Sequence, residues 1–248
     1  MNILLINPNT SVEITEKLSN AALRVKSADT NLICETARYG VPYISTRSEA
    51  LIGGTAMMEI LAEKHDLIDA AIVAAFGDPG LGAARELFDV PVIGLAEAGM
   101  LTACMLGGRF SIVSFSETLR PWYLECVAWH RLEARCASVR TLTGGFQSIG
   151  NVQEEKEDLL VALAQAAITE DDADVIVLAG APLAGLAQKV QGRIPVPVVD
   201  CAEAAMAQAE TLARLNVRAP IEGSFRRPVA KPTVGMTSAL AERIAGAR

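Results

Sequence analysis

The sequence is poor in aromatic residues, which make up only 4% of its 248 positions. A core with few aromatic rings has to be built from aliphatic side chains, and 51% of the chain is apolar. This composition favours helices packed on an aliphatic sheet over an aromatic-rich sandwich. Basic residues are also in the minority, since 22 Lys and Arg against 29 Asp and Glu leave a formal net charge of -7. We therefore do not expect a nucleic acid as a partner.

Signals for a disulfide scaffold, a metal centre, a membrane span or export are missing as well. The five cysteines are an odd number without C-x-x-C spacing, and neither of the two histidines has a second ligand at a spacing typical of zinc sites. Asp69, Asp78 and Asp89 interrupt the most hydrophobic region, so no run reaches the about 18 apolar residues that a membrane helix needs. The first apolar run has no basic flank. We expect a cytoplasmic protein without a metal.

Short apolar runs recur along the chain, and each is followed by turn residues and a stretch typical of a helix. This alternation predicts an α/β protein with parallel strands. The predicted strands are Ile3–Ile6, Leu32–Glu35, Ala70–Ala75, Val90–Leu95, Phe110–Ser114, Ser138–Leu142, Asp174–Ala179 and Val196–Val199. The sequence TSVE, which starts at Thr10, has the pattern of a capping box and predicts that the first helix begins there.

The second half of the chain repeats the first at an offset of about 105 to 108 residues. The DAAIVAA that starts at Asp69 matches the DVIVLA that starts at Asp174, and the VPVI at Val90 matches the VPVV at Val196. We therefore predict two lobes related by a pseudo-twofold axis, each with a mostly parallel four-stranded sheet flanked by helices. Because ligands of such sheets bind beyond the carboxyl ends of the strands, the strand-end loops would face each other across one cleft.

The predicted lobes are residues 1–97, joined by roughly 203–217, and residues 98–202. From residue 218 the composition changes, and a C-terminal arm, 218–248, contains three prolines and several basic residues. Two alternatives are open for this arm. It is either a surface extension that packs on its own lobe or on a second subunit, or a lid that brings Arg226 or Arg227 to the cleft.

Two strand-end loops have groups suited to binding a small anion. In NPNTS, which starts at Asn7, Thr10 can cap the first helix while Asn7 and Asn9 point into the cleft. In FGDPGL, which starts at Phe76, Asp78 is either the cap of a helix that begins at Pro79 or a general base. The backbone N–H groups of this loop and of the GAP that starts at residue 180 would suit a carboxylate or an enolate.

The opening NPNT, the FGDPGL loop and the VPVIGLAEA that follows make the sequence similar to the aspartate/glutamate/hydantoin racemase superfamily, in particular to its hydantoin and allantoin racemase branch. The similarity extends over about the first 215 residues and rests on several motifs in the same order. The resemblance implies two α/β lobes with the active site between them and no cofactor. It also implies one cysteine from each lobe, and the two thiols act on opposite faces of the substrate's α-carbon.

Both of the cysteines that the resemblance implies are missing from this chain. Their positions correspond to Ala75, just before FGDPG, and to Gly180, just after the IVLA strand. Around Gly180 the sequence AGAPL departs from the usual C-G-G-M or C-A-G-M pattern at several positions, which indicates natural divergence. A two-cysteine mechanism therefore does not transfer to this chain, and Asp78 and Tyr43 are the candidate catalytic residues.

Further binding residues are expected in two polar loops. Tyr43, Ser45 and Arg47 lie where the racemase branch has a substrate loop, and Arg47 either meets a carboxylate or faces solvent. Ser114 and Ser116 lie in the lobe-two equivalent of the NPNT loop. The predicted binding residues are Asn7, Asn9, Thr10, Tyr43, Ser45, Arg47, Phe76, Gly77, Ser114, Ser116, Gly180 and Ala181.

These observations favour a cofactor-independent isomerase that acts at a carbon next to a carbonyl group, in a hydantoin-like ring or in an amino or dicarboxylic acid. One alternative is a lyase or decarboxylase that needs only one base. The other is a catalytically silent ligand-binding or regulatory protein, of the kind sometimes labelled a hydrogenase expression protein. The expected partners are a small anionic or carbonyl compound and further copies of the same chain, without a membrane.

Overall fold

The computed structural model describes residues 1–145, 147–217 and 219–246. Phe146, Arg218, Ala247 and Arg248 lie outside this part, so the first residue and the last two residues of the predicted arm are not described. The described chain forms strands at all eight predicted places. They are β1 (Asn2–Asn7), β2 (Asn31–Thr36), β3 (Ala70–Val73), β4 (Val92–Gly94), β5 (Phe110–Ser114), β6 (Cys136–Thr141), β7 (Val175–Leu178) and β8 (Val198–Asp200).

Helices connect these strands and cover the sheets. They are α1 (Val12–Val25), α2 (Arg47–Lys64), α3 (Leu81–Leu87), α4 (Leu95–Leu106), α5 (Arg120–Trp129), α6 (Val152–Asp171), α7 (Leu186–Val190), α8 (Cys201–Leu215) and α9 (Ser238–Ile244). Helix α1 forms because Ile14, Leu18 and Ala21 recur at helical spacing and are buried together on one face. Within the described residues, no helix is both long and apolar enough to cross a membrane.

Each lobe has its own parallel sheet, and the two sheets have the same strand order. The orders are β2-β1-β3-β4 and β6-β5-β7-β8, so the first strand of each half lies inside its sheet. Leu5 of β1 pairs with Ile72 of β3, and Ile112 of β5 pairs with Val177 of β7. These strands are continuous apolar runs because helices cover both faces of a parallel sheet. The predicted fold class of two α/β lobes with four-stranded sheets is confirmed.

The two lobes exchange one helix each. Helix α4 packs on β7 and β8, whereas α8 packs on β3 and β4, and the two helices contact each other. Their contact is close at Gly99, where a Cβ atom would lie 2.6 Å from Sγ of Cys201. The side chain of Gln208 donates hydrogen bonds to the carbonyl of Ala98 and to the hydroxyl of Thr102. We retain the boundaries 1–97 with 203–217, and 98–202, as a proposal for the two lobes.

The C-terminal arm packs on the outside of lobe one. Helix α9 contacts α2, and the side chain of Arg243 is 2% exposed and donates a hydrogen bond to the carbonyl of Leu87. The guanidinium of Arg243 also lies 5.3 Å from the centre of the Phe88 ring. Arg227 and Arg243 approach the carboxylate of Asp89 at 3.9 and 3.4 Å. These contacts favour the surface extension over the lid.

Candidate active site

The carboxyl ends of the two sheets meet at a narrow cleft between the lobes. Its lining residues are Asn9, Tyr43, Ile44, Ala75, Phe76, Trp122, Tyr123, Gly180, Ala181 and Pro182. Ala75 and Gly180, the positions at which the resemblance implies cysteines, therefore line the same space. Of the predicted binding residues, the cleft brings together Asn9, Tyr43, Phe76, Gly180 and Ala181.

The lobe-two side of the cleft has no room for a side chain at position 180. Gly180 has a φ of +111°, and a Cβ atom added there would lie 2.8 Å from Cε1 of Phe115 and 3.4 Å from the hydroxyl oxygen of Tyr123. Only glycine adopts this backbone conformation without strain. Two aromatic rings thus fill the space next to the position where the resemblance implies the second thiol.

Aromatic side chains from both lobes form the rest of the cleft. The rings of Tyr43 and Phe115 have centres 5.8 Å apart, and those of Phe76 and Tyr123 are 4.5 Å apart. The indole of Trp122 packs against Gly77, where a Cβ atom would lie only 2.3 Å from the ring. Gly77 is therefore required at this turn for the close approach of the two lobes.

Burial favours the neutral form of both cleft phenols. It raises the pKa of Tyr43 above its ordinary value, and the nearby Glu49 carboxylate raises it further. Burial likewise raises the pKa of Tyr123, whose side chain is hydrogen-bonded to Ser114. A neutral phenol is a hydrogen-bond donor and a weak acid. Neutral phenols thus predominate in this aromatic wall.

The NPNT loop is held by its own amide side chains. Nδ2 of Asn7 donates to Oδ1 of Asn9 at 2.9 Å and to the hydroxyl of Thr15 at 3.0 Å. Oδ1 of Asn9 also accepts the N–H of Ser11 at 2.9 Å. Asn7 is fully buried, so it positions Asn9 and does not line the cleft itself.

The prediction that Thr10 caps the first helix is wrong by one residue. The hydroxyl of Ser11 accepts the N–H of Ile14 at 3.3 Å and is the N-cap of α1. Thr10 instead donates its backbone N–H to the carbonyl of Val41 at 2.9 Å. The reason is the turn formed by Asn9 and Ser11, which shifts the start of the helix along the chain.

Both predictions for Asp78 are contradicted by its position. The chain turns at Asp78 with a φ of 51°, and α3 begins only after Gly80, so Asp78 does not cap a helix at Pro79. Its two carboxylate oxygens accept the N–H groups of Ala96 and Glu97 at 2.8 and 2.9 Å. Asp78 therefore caps α4. It is not among the cleft residues and cannot serve there as a general base.

Asp78 also joins the two lobes through His130. Oδ2 of Asp78 lies 2.9 Å from Nε2 of His130, and the side chains are 1% and 5% exposed. Burial raises the pKa of the Asp78 carboxyl, while the hydrogen bond and the charge of His130 act in the opposite direction. Gly77, another predicted binding residue, is not among the residues that line the cleft.

The predicted substrate loop has a structural role at two of its three positions. Ser45 donates its N–H and its hydroxyl to Glu49, within the first turn of α2. Nε of Arg47 donates to Glu125 of α5 at 2.8 Å, and both side chains are more than half exposed. Arg47 thus bridges the lobes at the surface and is already neutralised, so the prediction that it meets a ligand carboxylate in the cleft is wrong. Of the three predicted positions, Tyr43 is the one that lines the cleft.

The two predicted serines of lobe two do not line the cleft either. Ser114 is fully buried and donates its hydroxyl to the carbonyl of Ala179 at 2.8 Å. Its hydrogen bond to Tyr123 makes it a positioning residue for that phenol. Ser116 pairs with the hydroxyl of Thr118 at 2.9 Å.

Three aromatic residues of the site were not predicted from the sequence: Phe115, Trp122 and Tyr123. A signal was present, because Trp122 and Tyr123 are consecutive rings in a chain that has few, and they follow Pro121 at the start of a helix. Phe115 follows directly on β5, in the position that strand-end loops give to binding residues. That these rings meet rings of the other lobe is visible only in the structure, where the two lobes are in contact.

Most of the chain matches proteins of one family. The Asp/Glu/hydantoin racemase family model matches residues 3–209. A hydantoin racemase from Paenarthrobacter aurescens is 33% identical over 93% of this chain and 99% of its own length. The structure of an allantoin racemase from Klebsiella pneumoniae superposes with a TM-score of 0.91 at 31% identity, over 97% of this chain and 98% of that chain.

A second solved structure, an allantoin racemase from Pseudomonas fluorescens, has a TM-score of 0.88 at 32% identity. The match covers 95% of this chain and all of that one. The family match thus extends along nearly the full length of the chain. It includes both lobes and the strand-end turns at Ala75 and Gly180. The chain belongs to the Asp/Glu/hydantoin racemase family of isomerases.

Proposed function

We propose that this chain is a cofactor-independent isomerase that moves a proton at a carbon next to a carbonyl group, with a phenol in place of thiols. The position of Tyr43 in the cleft, together with the turns at Ala75 and Gly180, is the observation that carries the proposal. The substrate class is a small hydantoin-like ring or an amino or dicarboxylic acid. Relatives named hydantoin racemase and allantoin racemase support the ring compounds.

Removal of a proton next to a carbonyl leaves negative charge on the carbonyl oxygen. Backbone N–H groups at Phe76 and Ala181 lie on the turns that end β3 and β7, and Ala181 begins a short helical turn. Such fixed dipoles stabilise an oxyanion without reorganising. The apolar rings around them exclude water and strengthen this interaction.

Tyr43 is the proton carrier of the proposed reaction. Its phenolate takes the proton from the α-carbon, which gives a neutral phenol and an enolate held by the backbone amides. The phenol then returns a proton, which has exchanged with solvent, to carbon or to another atom of the conjugated system. Because burial raises the pKa of Tyr43, the phenolate is scarce but strongly basic, and its fraction grows about tenfold per pH unit below that pKa.

The proposed reaction takes place on one face of the substrate. The other side of the cleft is filled by Phe115 and Tyr123 next to Gly180, and the phenol of Tyr123 is engaged by Ser114. Exchange of the α-hydrogen is therefore expected to be faster than inversion of configuration. A two-thiol racemase has a proton carrier on each face, and this difference distinguishes the two mechanisms.

A second candidate function is ligand binding without turnover. The same packing of Phe115 against Gly180 favours this candidate. Phe115 fills the space of one proton carrier, and a chain that only binds its ligand does not need that carrier. Both candidates predict that a small carbonyl compound stabilises the fold. They differ in whether any bond to hydrogen is broken.

The deciding experiment follows α-hydrogen exchange by NMR in heavy water. Substituted hydantoins, allantoin, α-substituted carboxylic acids and an α-substituted malonate are each incubated with the protein, and thermal unfolding is recorded in parallel. We expect deuterium to enter one compound faster than its configuration inverts, at a rate that rises with pH. The malonate tests the decarboxylase alternative, since protonation of the enolate left by CO₂ needs only one donor.

Tyr39→Phe is the matched control for Tyr43→Phe, because the ring of Tyr39 is 42% exposed and lies outside the cleft. Tyr43→Phe should lower the exchange rate by about 100-fold or more, and Tyr39→Phe should leave it unchanged. Exchange that survives Tyr43→Phe contradicts the role of the phenol. Thermal stabilisation by a compound that never exchanges would instead establish the binding protein.

A further inference from the structure

Three side chains that can bind a metal meet at the contact between the lobes, behind the cleft. They are Asp78, Cys126 and His130, and one ligand atom of each lies within 4.8 Å of those of the other two. Asp78 belongs to lobe one, whereas Cys126 and His130 come from α5 of lobe two and the residue that ends it. The group uses carboxylate, thiol and imidazole, the three ligand types that divalent zinc prefers.

The spacing in lobe two is typical of a metal site. Cys126 and His130 are four residues apart at the end of a helix, so their side chains lie on the same face. Both are nearly buried, with Cys126 5% exposed and the side chain of His130 also 5% exposed. Neither this pair nor a metal site was predicted from the sequence.

Groups around the three side chains hold them in place, as the residues around the ligands of a metal site do. Asp78 is fixed by the backbone N–H groups that it caps on α4. Nδ1 of His130 lies 3.6 Å from Oε1 of Glu97, which leaves Nε2 directed at Asp78. Glu97 is held in turn by both arms of the Arg85 guanidinium. A carboxylate behind the distal nitrogen of a histidine is the usual arrangement around protein-bound zinc.

The group lies next to a surface cavity. Asp78 and Cys126 line this cavity between the lobes, together with Trp122 and Trp129 and with the Arg47–Glu125 ion pair. The cavity is the side from which an ion would reach the group. Three protein ligands are the number found in zinc sites whose fourth ligand is a water molecule.

We propose that Asp78, Cys126 and His130 form a binding site for Zn²⁺ or a similar divalent transition metal, which links the two lobes. The ion replaces the hydrogen bond between His130 and Asp78 and forms bonds to Nε2, to Sγ and to a carboxylate oxygen. The S–H bond of Cys126 is broken, and its proton is released to the buffer. The site is separate from the cleft, so it does not depend on the proposed reaction.

The test measures metal binding to the tag-free chain in the presence of a phosphine reductant, after treatment with a chelator. Calorimetric titration with Zn²⁺ should give one ion per chain, with proton release to the buffer. Titration with Co²⁺ should give the near-ultraviolet charge-transfer absorption of a cobalt–thiolate bond. Bound Zn²⁺ should raise the midpoint of thermal unfolding, because it binds only the folded arrangement.

Cys126→Ser and His130→Gln should each weaken Zn²⁺ binding by at least about 100-fold, since each removes a direct ligand. Cys104→Ser and His65→Gln are the matched controls outside the group, and they should bind as the unaltered chain does. Absence of Zn²⁺ binding, or equal affinity in Cys126→Ser, overturns the proposal. If the variants do not fold, X-ray absorption at the zinc edge of the unaltered chain decides, because a coordination sphere without sulfur overturns it as well.

Discussion

A Cβ atom placed on Gly180 would lie 2.8 Å from Cε1 of Phe115, closer than packed carbon atoms come. Gly180 also has a φ of +111°, in the region that side chains other than glycine's rarely adopt. Two independent features of the fold thus exclude a thiol from this position. The packing of lobe two is therefore adapted to glycine at the position where the resemblance implies a cysteine.

Restoring cysteines at the two positions should therefore have unequal effects on stability. Gly180→Cys is expected to lower the free energy of unfolding by about 3 kcal/mol, from backbone strain and overpacking together. Ala75→Cys should cost less than about 1 kcal/mol, because Ala75 already has a Cβ atom and has no positive φ. Urea unfolding of both variants under reducing conditions measures the difference. Equal stability of the two variants would contradict the packing argument.

The sequence predicted the strands better than the site. All eight strands were found because strands buried on both faces are continuous aliphatic runs that can be read locally. Asp78 was misplaced because the direction of its carboxylate depends on Gly94, where a Cβ atom would lie 2.4 Å from Oδ2 of Asp78. Gly94 and Asp78 are distant in sequence, so no local pattern predicts the contact. The rings of Phe115 and Tyr123 were missed for the same reason, since they meet the cleft only after the lobes have joined.

The contact between Asp78 and His130 should be measurable as a coupling between the lobes. Asp78→Ala removes the cap of α4 and leaves Nε2 of His130 without its partner, so we expect a loss of about 3 kcal/mol in unfolding free energy. His130→Ala in the same background should then cost about 1 kcal/mol less than it does alone. Urea unfolding of the four chains in a double-mutant cycle, with a chelator present, gives this coupling. Additive effects would show that the two side chains do not stabilise each other.

Trp122 should report on occupation of the cleft. The chain has two tryptophans, and Trp122 lines the cleft whereas Trp129 is 52% exposed and does not. A compound that binds beside Trp122 changes the polarity around its indole. A hydantoin or allantoin that stabilises the fold should therefore change the emission of Trp129→Phe, which retains Trp122. The change should be absent from Trp122→Phe at the same degree of thermal stabilisation, and a signal that persists there would place the ligand elsewhere.

The two cleft phenols should make the fold sensitive to alkaline pH. Burial raises the pKa of Tyr43 and of Tyr123 above their ordinary value of 10.0, so the unfolded chain loses these protons at a lower pH than the folded chain does. Their contribution to stability is complete below about pH 10 and falls as the pH rises above it, by about 1.4 kcal/mol per pH unit for each phenol. Urea unfolding between pH 8 and 11 measures the slope. Tyr43→Phe should remove about half of the contribution that the two cleft phenols make to it.

The same prediction has a spectroscopic form, because the chain has only three tyrosines. In an absorbance titration of the folded protein, the exposed Tyr39 should ionise first, and the phenolate signal of Tyr43 and Tyr123 should appear only as the fold is lost. In the Tyr43→Phe variant one phenolate should be missing from the late phase and none from the early phase. Ionisation of all three phenols before unfolding would mean that the cleft is open to water, and would remove the basis for Tyr43 as a scarce but strong base.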